Sequence, residues 1–257
     1  MEIDVFEMYK KKINDAHCEK CNGELDNKLP NGHKRCPPQS FWNIGSNLVN
    51  KTKPRLTFVG KTSWNTPEDL ENDEKDPFPI SYCGYVARDF FNELGRFRYW
   101  HDIRYITHEL NLELEDIAIT NLVKCNIYDE NDKNDSFNKT PPAYFEQCVD
   151  IFEEEMKIIR PTHIVFFTGD NYDYLIDGLR FWFKGPNCTY HDHPKEEKEY
   201  KRKIKGKAVC WWHRTFYKDN KPKMHFLRTR HPQGAKLEVR EEIIKWVKST
   251  DVFKQIK

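Results

Sequence analysis

The sequence lacks the features that would mark a membrane, fibrous or disordered protein. No apolar run in its 257 residues approaches the roughly 18 that a transmembrane helix requires, and the start MEIDVFEMYKKKIND has no apolar signal-peptide core. It contains no internal repeat. Aromatic residues make up 14% of the chain, which argues against wholesale disorder. We therefore expect a cytoplasmic protein with a packed core and no membrane partner.

The sequence also lacks an excess of one charge. Its 42 basic and 41 acidic residues leave a net charge of +1, which excludes a globally basic nucleic-acid binder but permits a locally basic face. One basic run, Lys195–Lys207, lies in residues 180–222, which we interpret as an inserted basic and aromatic hairpin or loop. The run either binds DNA or forms a solvated surface loop. Trp211 and Trp212 after it either stack on unpaired bases or form the core of the hairpin.

Short apolar runs alternate with segments of helical spacing through the rest of the chain. The predicted strands are 55–60, 117–123, 162–168 and 224–228, and the predicted helices are 85–94, 142–159, 172–179 and 237–247. Alternation of this kind predicts a parallel sheet covered by helices. The expected fold class is therefore a three-layer α/β/α domain with a central, mostly parallel sheet, spanning residues 1–257.

Eight cysteines are many for a protein in a reducing compartment, where they serve more often as metal ligands, catalytic groups or core residues than as disulfides. Cys18-Glu-Lys-Cys21 and Cys36 lie in residues 1–50 among Asn, Gly and Pro, a composition that argues against regular structure. We expect a bound metal to hold this N-terminal segment. With His33, these cysteines have a spacing typical of a zinc ribbon.

Polar side chains follow three of the predicted strands, at the edge where ligands bind in an open α/β sheet. The loops are 60–64 (GKTSW), 120–125 (TNLVKC) and 228–234 (RTRHPQG). The first loop is not a phosphate-binding P-loop, because the first glycine of that motif is missing.

The order of these loops resembles the uracil-DNA glycosylase superfamily, and most closely its iron–sulfur branch. That branch has a Cys-x-x-Cys pair, a strand ending in Gly-Glu-Ala-Pro-Gly, a strand close to Ile-Thr-Asn-Val-Val-Lys-Cys, a further Cys on a helix, a strand with Gly, and a His-Pro-Ser loop. The counterparts here are Cys18-x2-Cys21, LTFVG at 56–60, ITNLVKC at 119–125, Cys148, IVFFTG at 164–169 and His231-Pro232. The resemblance covers about residues 18–247 outside the segment 180–222, and it implies a uracil-DNA glycosylase-like domain.

The resemblance also implies a bound cofactor. Four thiolates are the usual ligands of a [4Fe–4S] cluster, and the family pattern assigns them to Cys18, Cys21, Cys125 and Cys148. Zinc bound by the N-terminal spacing is the alternative. Cys36 in place of one of the Cys18–Cys21 pair is a further one.

A glycosylase rotates its target base out of the stack and reads it in a closed pocket. Asn121 offers both an acceptor and a donor for a pyrimidine edge, and the family uses the asparagine of this motif for that purpose. Phe78 matches the family's aromatic residue that stacks on the flipped-out base. Without the resemblance, Asn121 reads as a turn residue that holds its own backbone, and Phe78 reads as a core residue.

His231 begins the His-Pro loop. In the superfamily this histidine stabilises negative charge on the departing base, where a donor aimed at that charge is worth several kcal/mol. The residues around it that we expect to contact DNA are Arg228, Arg230, Gln233, Lys236 and Leu237. Leu237 or Gln233 fills the gap left by the flipped nucleotide, unless Leu237 only starts the apolar face of the last helix.

The first motif departs from the family pattern. Lys61 replaces the acidic residue that orients water or stabilises the cationic sugar, and a lysine supplies no negative charge. Glu68 and Asp69, a few residues on, are expected to take over that role. Lys61 itself binds a phosphate, contacts a base substituent or, with a lowered pKa, forms a Schiff base. Ser63 and Trp64 line the expected base pocket, and Trp64 is much larger than the glycine it replaces.

The sequence therefore predicts a DNA glycosylase that hydrolyses the N-glycosidic bond of a flipped-out uracil or modified pyrimidine and leaves an abasic site. The altered pocket motif keeps a bulky modified cytosine of phage DNA as a second candidate substrate, since some superfamily members excise such bases as a defence. The alternative function is a catalytically silent DNA-binding member of the superfamily. We expect a monomer whose partner is DNA.

Overall fold

The structure is a computed structural model, and it describes residues 2–13, 23, 25–29, 31–35, 42–49, 53–62, 91–92, 98–125, 127–129, 142–169, 172–173, 176, 179, 187–192, 212–232 and 237–256. The described strands are β1 (His33–Arg35), β2 (Asn43–Ile44), β3 (Leu56–Thr62), β4 (Ile117–Val123), β5 (Ile127–Asp129), β6 (His163–Phe166), β7 (Cys188–Asp192), β8 (Trp212–Lys218) and β9 (Lys221–Arg228). The described α-helices with defined bounds are α1 (Glu2–Ile13), α2 (Arg98–Glu109), α3 (Pro142–Ile159), α4 (Leu237–Ser249) and α5 (Asp251–Ile256).

A mixed sheet of seven strands organises the described residues, in the order β2-β4-β3-β6-β9-β8-β7. Its four central strands, β4, β3, β6 and β9, run parallel to one another. The strands at the two edges are antiparallel. Every residue of β4 and of β6 is buried, which is the pattern of parallel strands covered on both faces. A separate ribbon pairs β1 with β5.

The chain changes direction across the sheet at β3 and β6. From β3 it passes to β4 on one side. After β6 it passes to the other side, where β7 forms the edge and β8 and β9 lead back to β6. The carboxyl ends of β3 and β6 therefore form the topological switch point, which is where α/β sheets bind ligands.

Helices cover both faces of this sheet. α1 and α3 pack on one face, against strand residues such as Val59 and Phe226. α2, α4 and α5 pack on the other face, against residues such as Phe58 and Val165. Neighbours such as Phe58 and Val59 belong to different cores because side chains alternate along a strand. None of the helices in the described part of the chain is long and apolar enough to cross a bilayer.

The predicted α/β fold with a parallel centre is confirmed. β4 and α3 agree with the predicted strand 117–123 and helix 142–159 at both ends. β3 extends two residues beyond the predicted end at residue 60, so Lys61 belongs to the strand itself. β6 is shorter than the predicted strand, and α4 begins at Leu237 as expected.

One helix was absent from the sequence prediction. α2 follows the predicted helix 85–94, of which the structure describes residues 91 and 92, both helical. The buried residues Trp100, Ile103 and Ile106 recur along α2 at helical spacing. This helix contains Tyr99, which lies at the candidate site described below.

Part of the segment 180–222 belongs to the main sheet. β7 and β8 extend it as an antiparallel edge, and β8 turns into β9 at Asp219-Asn220. Both turn residues have positive φ, as a tight hairpin of this kind requires. Trp212 is buried with its ring 5.1 Å from that of Phe226, in agreement with the core alternative for this tryptophan. Trp211 and the run Lys195–Lys207 lie outside the described residues.

Candidate functional site

The carboxyl ends of the parallel strands bring together three of the predicted site residues. In the β3–β4 ladder Gly60 pairs with Asn121, and Lys61 follows Gly60. β9 ends at Arg228, and the chain reaches His231 three residues later at the same edge of the sheet. The side chains of Asn121, Lys61 and His231 thus come from β4, from β3 and from the loop after β9, which are far apart in sequence.

Gly60 leaves room for the Asn121 side chain. A Cβ atom at residue 60 would lie 2.3 Å from Asn121 Oδ1, well inside van der Waals contact, and 3.3 Å from the hydroxyl oxygen of Tyr99. A larger residue here would therefore have to displace the asparagine. Asn121 is buried, with 4% of its surface exposed. Such a close approach is a recognised reason for a glycine within a strand.

His231 stacks on an aromatic ring that the sequence analysis did not single out. The imidazole and the Tyr99 ring are 5.4 Å apart, centroid to centroid, with 12° between their planes. Tyr99 lies at the start of α2, and its ring makes edge contacts with Phe167 at 5.8 Å and Trp100 at 5.7 Å. These contacts fix the plane of the imidazole.

His231 is neutral at physiological pH. Burial, with a smaller contribution from the Lys61 ammonium, lowers the pKa of His231 to about 4. In a neutral imidazole one ring nitrogen donates a hydrogen bond and the other accepts one. Because the charge of Lys61 acts on the imidazole, the two side chains lie within electrostatic reach of each other.

Arg228 is buried rather than presented to solvent. Only 1% of its surface is exposed, and its guanidinium forms an ion pair with Asp173. This environment does not favour the predicted contact of Arg228 with DNA, whereas Arg230 is half-buried beside His231. Leu237 is the first residue of α4.

Cys125 and Cys148 are brought together from different elements, as the sequence analysis expected. Cys125 follows β4 and Cys148 lies in α3, and both are buried without forming a disulfide. A side-chain hydrogen bond with Cys125 is the main cause that lowers the pKa of the Cys148 thiol, although burial acts in the opposite direction. Adjacent thiols of this kind suit the binding of one metal centre. Among the described residues no three metal-ligating side chains lie together, and Cys18 and Cys21 are outside them.

A buried charged cluster adjoins the two cysteines. Lys124 and Glu155 form an ion pair at 2.5 Å, with both side chains fully buried. The Thr120 hydroxyl donates to the Glu155 carboxylate at 2.9 Å and accepts from the Lys124 ammonium at 2.8 Å. The Tyr9 hydroxyl of α1 also donates to Glu155. The cluster therefore fastens the N-terminal helix to β4 and α3, and the charge of Lys124 favours the thiolate form of Cys148.

Several predicted site residues lie outside the described part of the chain. They are Ser63, Trp64, Glu68, Asp69, Phe78, Gln233, Lys236, Cys18 and Cys21. The roles that the sequence analysis gives to these residues stay predictions.

Comparison with known proteins adds no assignment. No protein-family model matches the chain, and no curated protein matches it significantly. The function of the protein is therefore inferred from its residues and their geometry.

Proposed function

We propose that this protein is a DNA glycosylase that hydrolyses the N-glycosidic bond of a flipped-out pyrimidine, either uracil or a modified cytosine. The observation that carries the proposal is the convergence of Asn121, Lys61 and His231 at the switch-point edge of the sheet. The resemblance to uracil-DNA glycosylases requires the asparagine and the histidine at this edge. The proposal assigns the reading of the base edge to Asn121 and the stabilisation of the leaving base to His231.

The reaction breaks the bond between C1′ of the sugar and the ring nitrogen of the base. The electron pair of that bond leaves with the base, which becomes an anion, while a water molecule adds to C1′ and loses a proton. The N–H group of neutral His231 donates to the developing anion. The low pKa of His231 and the stack that fixes its plane both support this role.

Lys61 gives the site a positive charge where the family has a negative one. Its effect on the pKa of His231 indicates that the ammonium acts on the same imidazole. A cation here stabilises a departing anion and disfavours a sugar cation. In this chain we therefore assign more of the stabilisation to the leaving base, and we assign the positioning of water to Glu68 or Asp69.

Release of free base, measured by mass spectrometry, tests the proposal. The substrates are oligonucleotides carrying uracil, hypoxanthine, hydroxymethylcytosine or glucosylated hydroxymethylcytosine, in single and double strands. We expect release of at least one base, and His231→Ala should lower the rate about 100-fold or more without loss of the fold. His108→Ala, at an exposed histidine of α2, is the matched control and should keep the full rate. An unchanged rate for His231→Ala would contradict the mechanism.

A catalytically silent DNA-binding protein is the second candidate, and Lys61 is the observation that favours it. Without an acid at this position, a superfamily member can keep a base-reading pocket while losing hydrolysis. This candidate predicts binding of the same oligonucleotides that weakens as salt is raised, with no base released.

We also propose that Cys18, Cys21, Cys125 and Cys148 bind a [4Fe–4S] cluster. The two described cysteines fit this group, because they are buried side by side and Lys124 supplies positive charge next to them. When bound, the cluster supplies a structural tie between the N-terminal segment and the sheet.

Metal analysis of the purified protein tests the cluster. We expect iron, sulfide and absorption near ~400 nm, with the iron lost in Cys148→Ser. Cys188→Ser, at a half-buried position in β7, should retain it. Zinc in place of iron would support the alternative with His33 and Cys36, and the absence of any metal would overturn both.

A further inference from the structure

The hydroxyl group of Tyr99 is an unexplained polar group at the candidate site. Its oxygen is buried, and it has no hydrogen-bond partner among the described residues. A buried hydroxyl without a partner costs about 1–3 kcal/mol, so a folded protein seldom keeps one without a reason. The other two tyrosines whose hydroxyl bonds the structure defines are paired, Tyr9 with Glu155 and Tyr105 with Glu241.

Ring contacts with three neighbouring side chains of the described residues hold the Tyr99 ring in position. It stacks on His231, and the edge contacts with Phe167 and Trp100 hold it from other sides. The hydroxyl therefore points in a fixed direction that no hydrogen bond within the described protein determines.

The Tyr99 hydroxyl lies next to Asn121, the residue to which the reading of the base is assigned. The Tyr99 hydroxyl oxygen and Asn121 Oδ1 both lie within 3.3 Å of the point where a Cβ of Gly60 would stand. The phenol oxygen and the amide oxygen are therefore close neighbours beside the β3 backbone at Gly60. A base held by the Asn121 amide at this edge of the sheet would therefore come within reach of the hydroxyl.

Resting on the proposed function, we propose that Tyr99 is a specificity-determining residue whose hydroxyl donates a hydrogen bond to a carbonyl oxygen of the flipped-out base, next to Asn121. Pyrimidines suit this arrangement because a carbonyl oxygen stands beside a ring nitrogen, so that two neighbouring protein groups can read them at once. Burial raises the pKa of Tyr99, and the phenol therefore stays protonated and able to donate throughout the physiological range.

The variant Tyr99→Phe separates a hydroxyl that binds ligand from one that supports the fold. It keeps the ring and its stack on His231 and removes only the oxygen. Since that oxygen has no partner in the free protein, the melting temperature of Tyr99→Phe should be unchanged or higher. Tyr105→Phe is the matched control on the same helix: it removes the bond to Glu241 at 2.6 Å, so it should not raise the melting temperature, and base binding should be unaffected.

Binding is measured with two single-stranded oligonucleotides that differ at one nucleotide. One carries a deoxyuridine with fluorine at C2′, which slows bond cleavage by destabilising the sugar cation, and the other carries an abasic analogue. We expect Tyr99→Phe to weaken binding of the uracil oligonucleotide about 5- to 10-fold, the value of one hydrogen bond, and to leave the abasic one unchanged. The same pair of measurements is made for each of the other bases in the release assay.

The outcomes distinguish this inference from the proposed function. Equal affinities of wild type and Tyr99→Phe, or a lower melting temperature of Tyr99→Phe, would overturn the role of Tyr99 even if the wild type releases base. Weaker binding by Tyr99→Phe without any base release would support Tyr99 as a base-reading residue in a silent binding protein. A wild type that neither releases a base nor prefers any base-bearing oligonucleotide to the abasic one would overturn both.

Discussion

Lys61 lies in β3 and His231 in the loop after β9, yet the charge of Lys61 acts on the ring of His231. The variant Lys61→Met removes that charge and should raise the pKa of His231 above about 4, while burial, the larger cause, keeps it below 6.5. An NMR titration of the imidazole measures the change. Lys53→Met is the matched control, because Lys53 pairs with Asp116 at the opposite end of the strand and should not affect His231. An unchanged pKa of His231 in Lys61→Met would show that Lys61 does not act on the imidazole.

Gly60 is the residue at which the smallest change should disturb the site most. The methyl group of Gly60→Ala would stand 2.3 Å from Asn121 Oδ1, so the asparagine must move. We expect base release to fall more than 10-fold, together with a loss of about 1–3 kcal/mol in the free energy of unfolding. Gly23→Ala, where no atom lies within 4 Å of the new methyl group, should be neutral on both measures. Full activity in Gly60→Ala would show that the position of Asn121 is unimportant.

At the scale of elements, the buried ion pair between Lys124 and Glu155 joins β4 to α3. Lys124→Met leaves the Glu155 carboxylate buried without its counter-charge, which should cost about 3–5 kcal/mol in the free energy of unfolding measured with urea. Lys157→Met, which breaks an exposed pair with Glu154, should cost under about 1 kcal/mol.

The double variant of Lys124→Met with Glu155→Met tests the reason for that loss. Removing both charges should recover much of the stability, since an apolar pair of similar volume replaces a buried salt bridge well. A double variant as unstable as Lys124→Met alone would mean that packing, and not the uncompensated charge, explains the loss.

His163 links β6 to the junction of α4 and α5, where its Nε2 lies 2.8 Å from the Thr250 hydroxyl. Burial, and less strongly the charges of His225 and Arg55, lower the pKa of His163 well below 6.5. The unfolded chain therefore binds a proton near pH 6.5 that the folded protein does not. The free energy of unfolding should fall as the pH drops below about 6.5, by up to about 1.4 kcal/mol per pH unit from this residue.

His163→Gln provides the comparison for this acid sensitivity. It should be less stable than the wild type at about pH 8, but it should lose less stability between about pH 6.5 and about pH 5, because one titrating group is gone. His108→Gln, at an exposed position, should follow the wild-type slope. Equal slopes for His163→Gln and the wild type would contradict the assignment.

The elements that could be predicted from the sequence are those with one uniform environment. β4 is apolar almost throughout because both of its faces are covered. α3 begins at the second of two consecutive prolines and has a regular buried stripe. α2 was not predicted from the sequence. Its residues, RYWHDIRYITHE, mix charged and aromatic side chains, and this mixture obscures the helical spacing of the buried positions. Tyr99 was missed with it.

At the scale of the whole molecule, the site could be predicted in part. Asn121 and His231 follow apolar strands, and parallel strands bring their carboxyl ends to one edge. Two features of the site could not be predicted from the sequence. They are the stack of Tyr99 on His231 and the ion pair of buried Arg228 with Asp173, and each depends on a contact between distant segments. Such contacts depend on how the helices pack on the sheet, and no local sequence pattern specifies that packing.

The attachment of α1 to α3 has a consequence for how the protein is made. Tyr9 and Glu155 are 146 residues apart, and at roughly 5–20 residues per second a ribosome needs on the order of 10 s to synthesise the chain between them. During that interval the apolar side of α1, including Val5, has no α3 to cover it. In the nascent chain the apolar side of α1 thus stays uncovered until α3 has been synthesised and has folded against it.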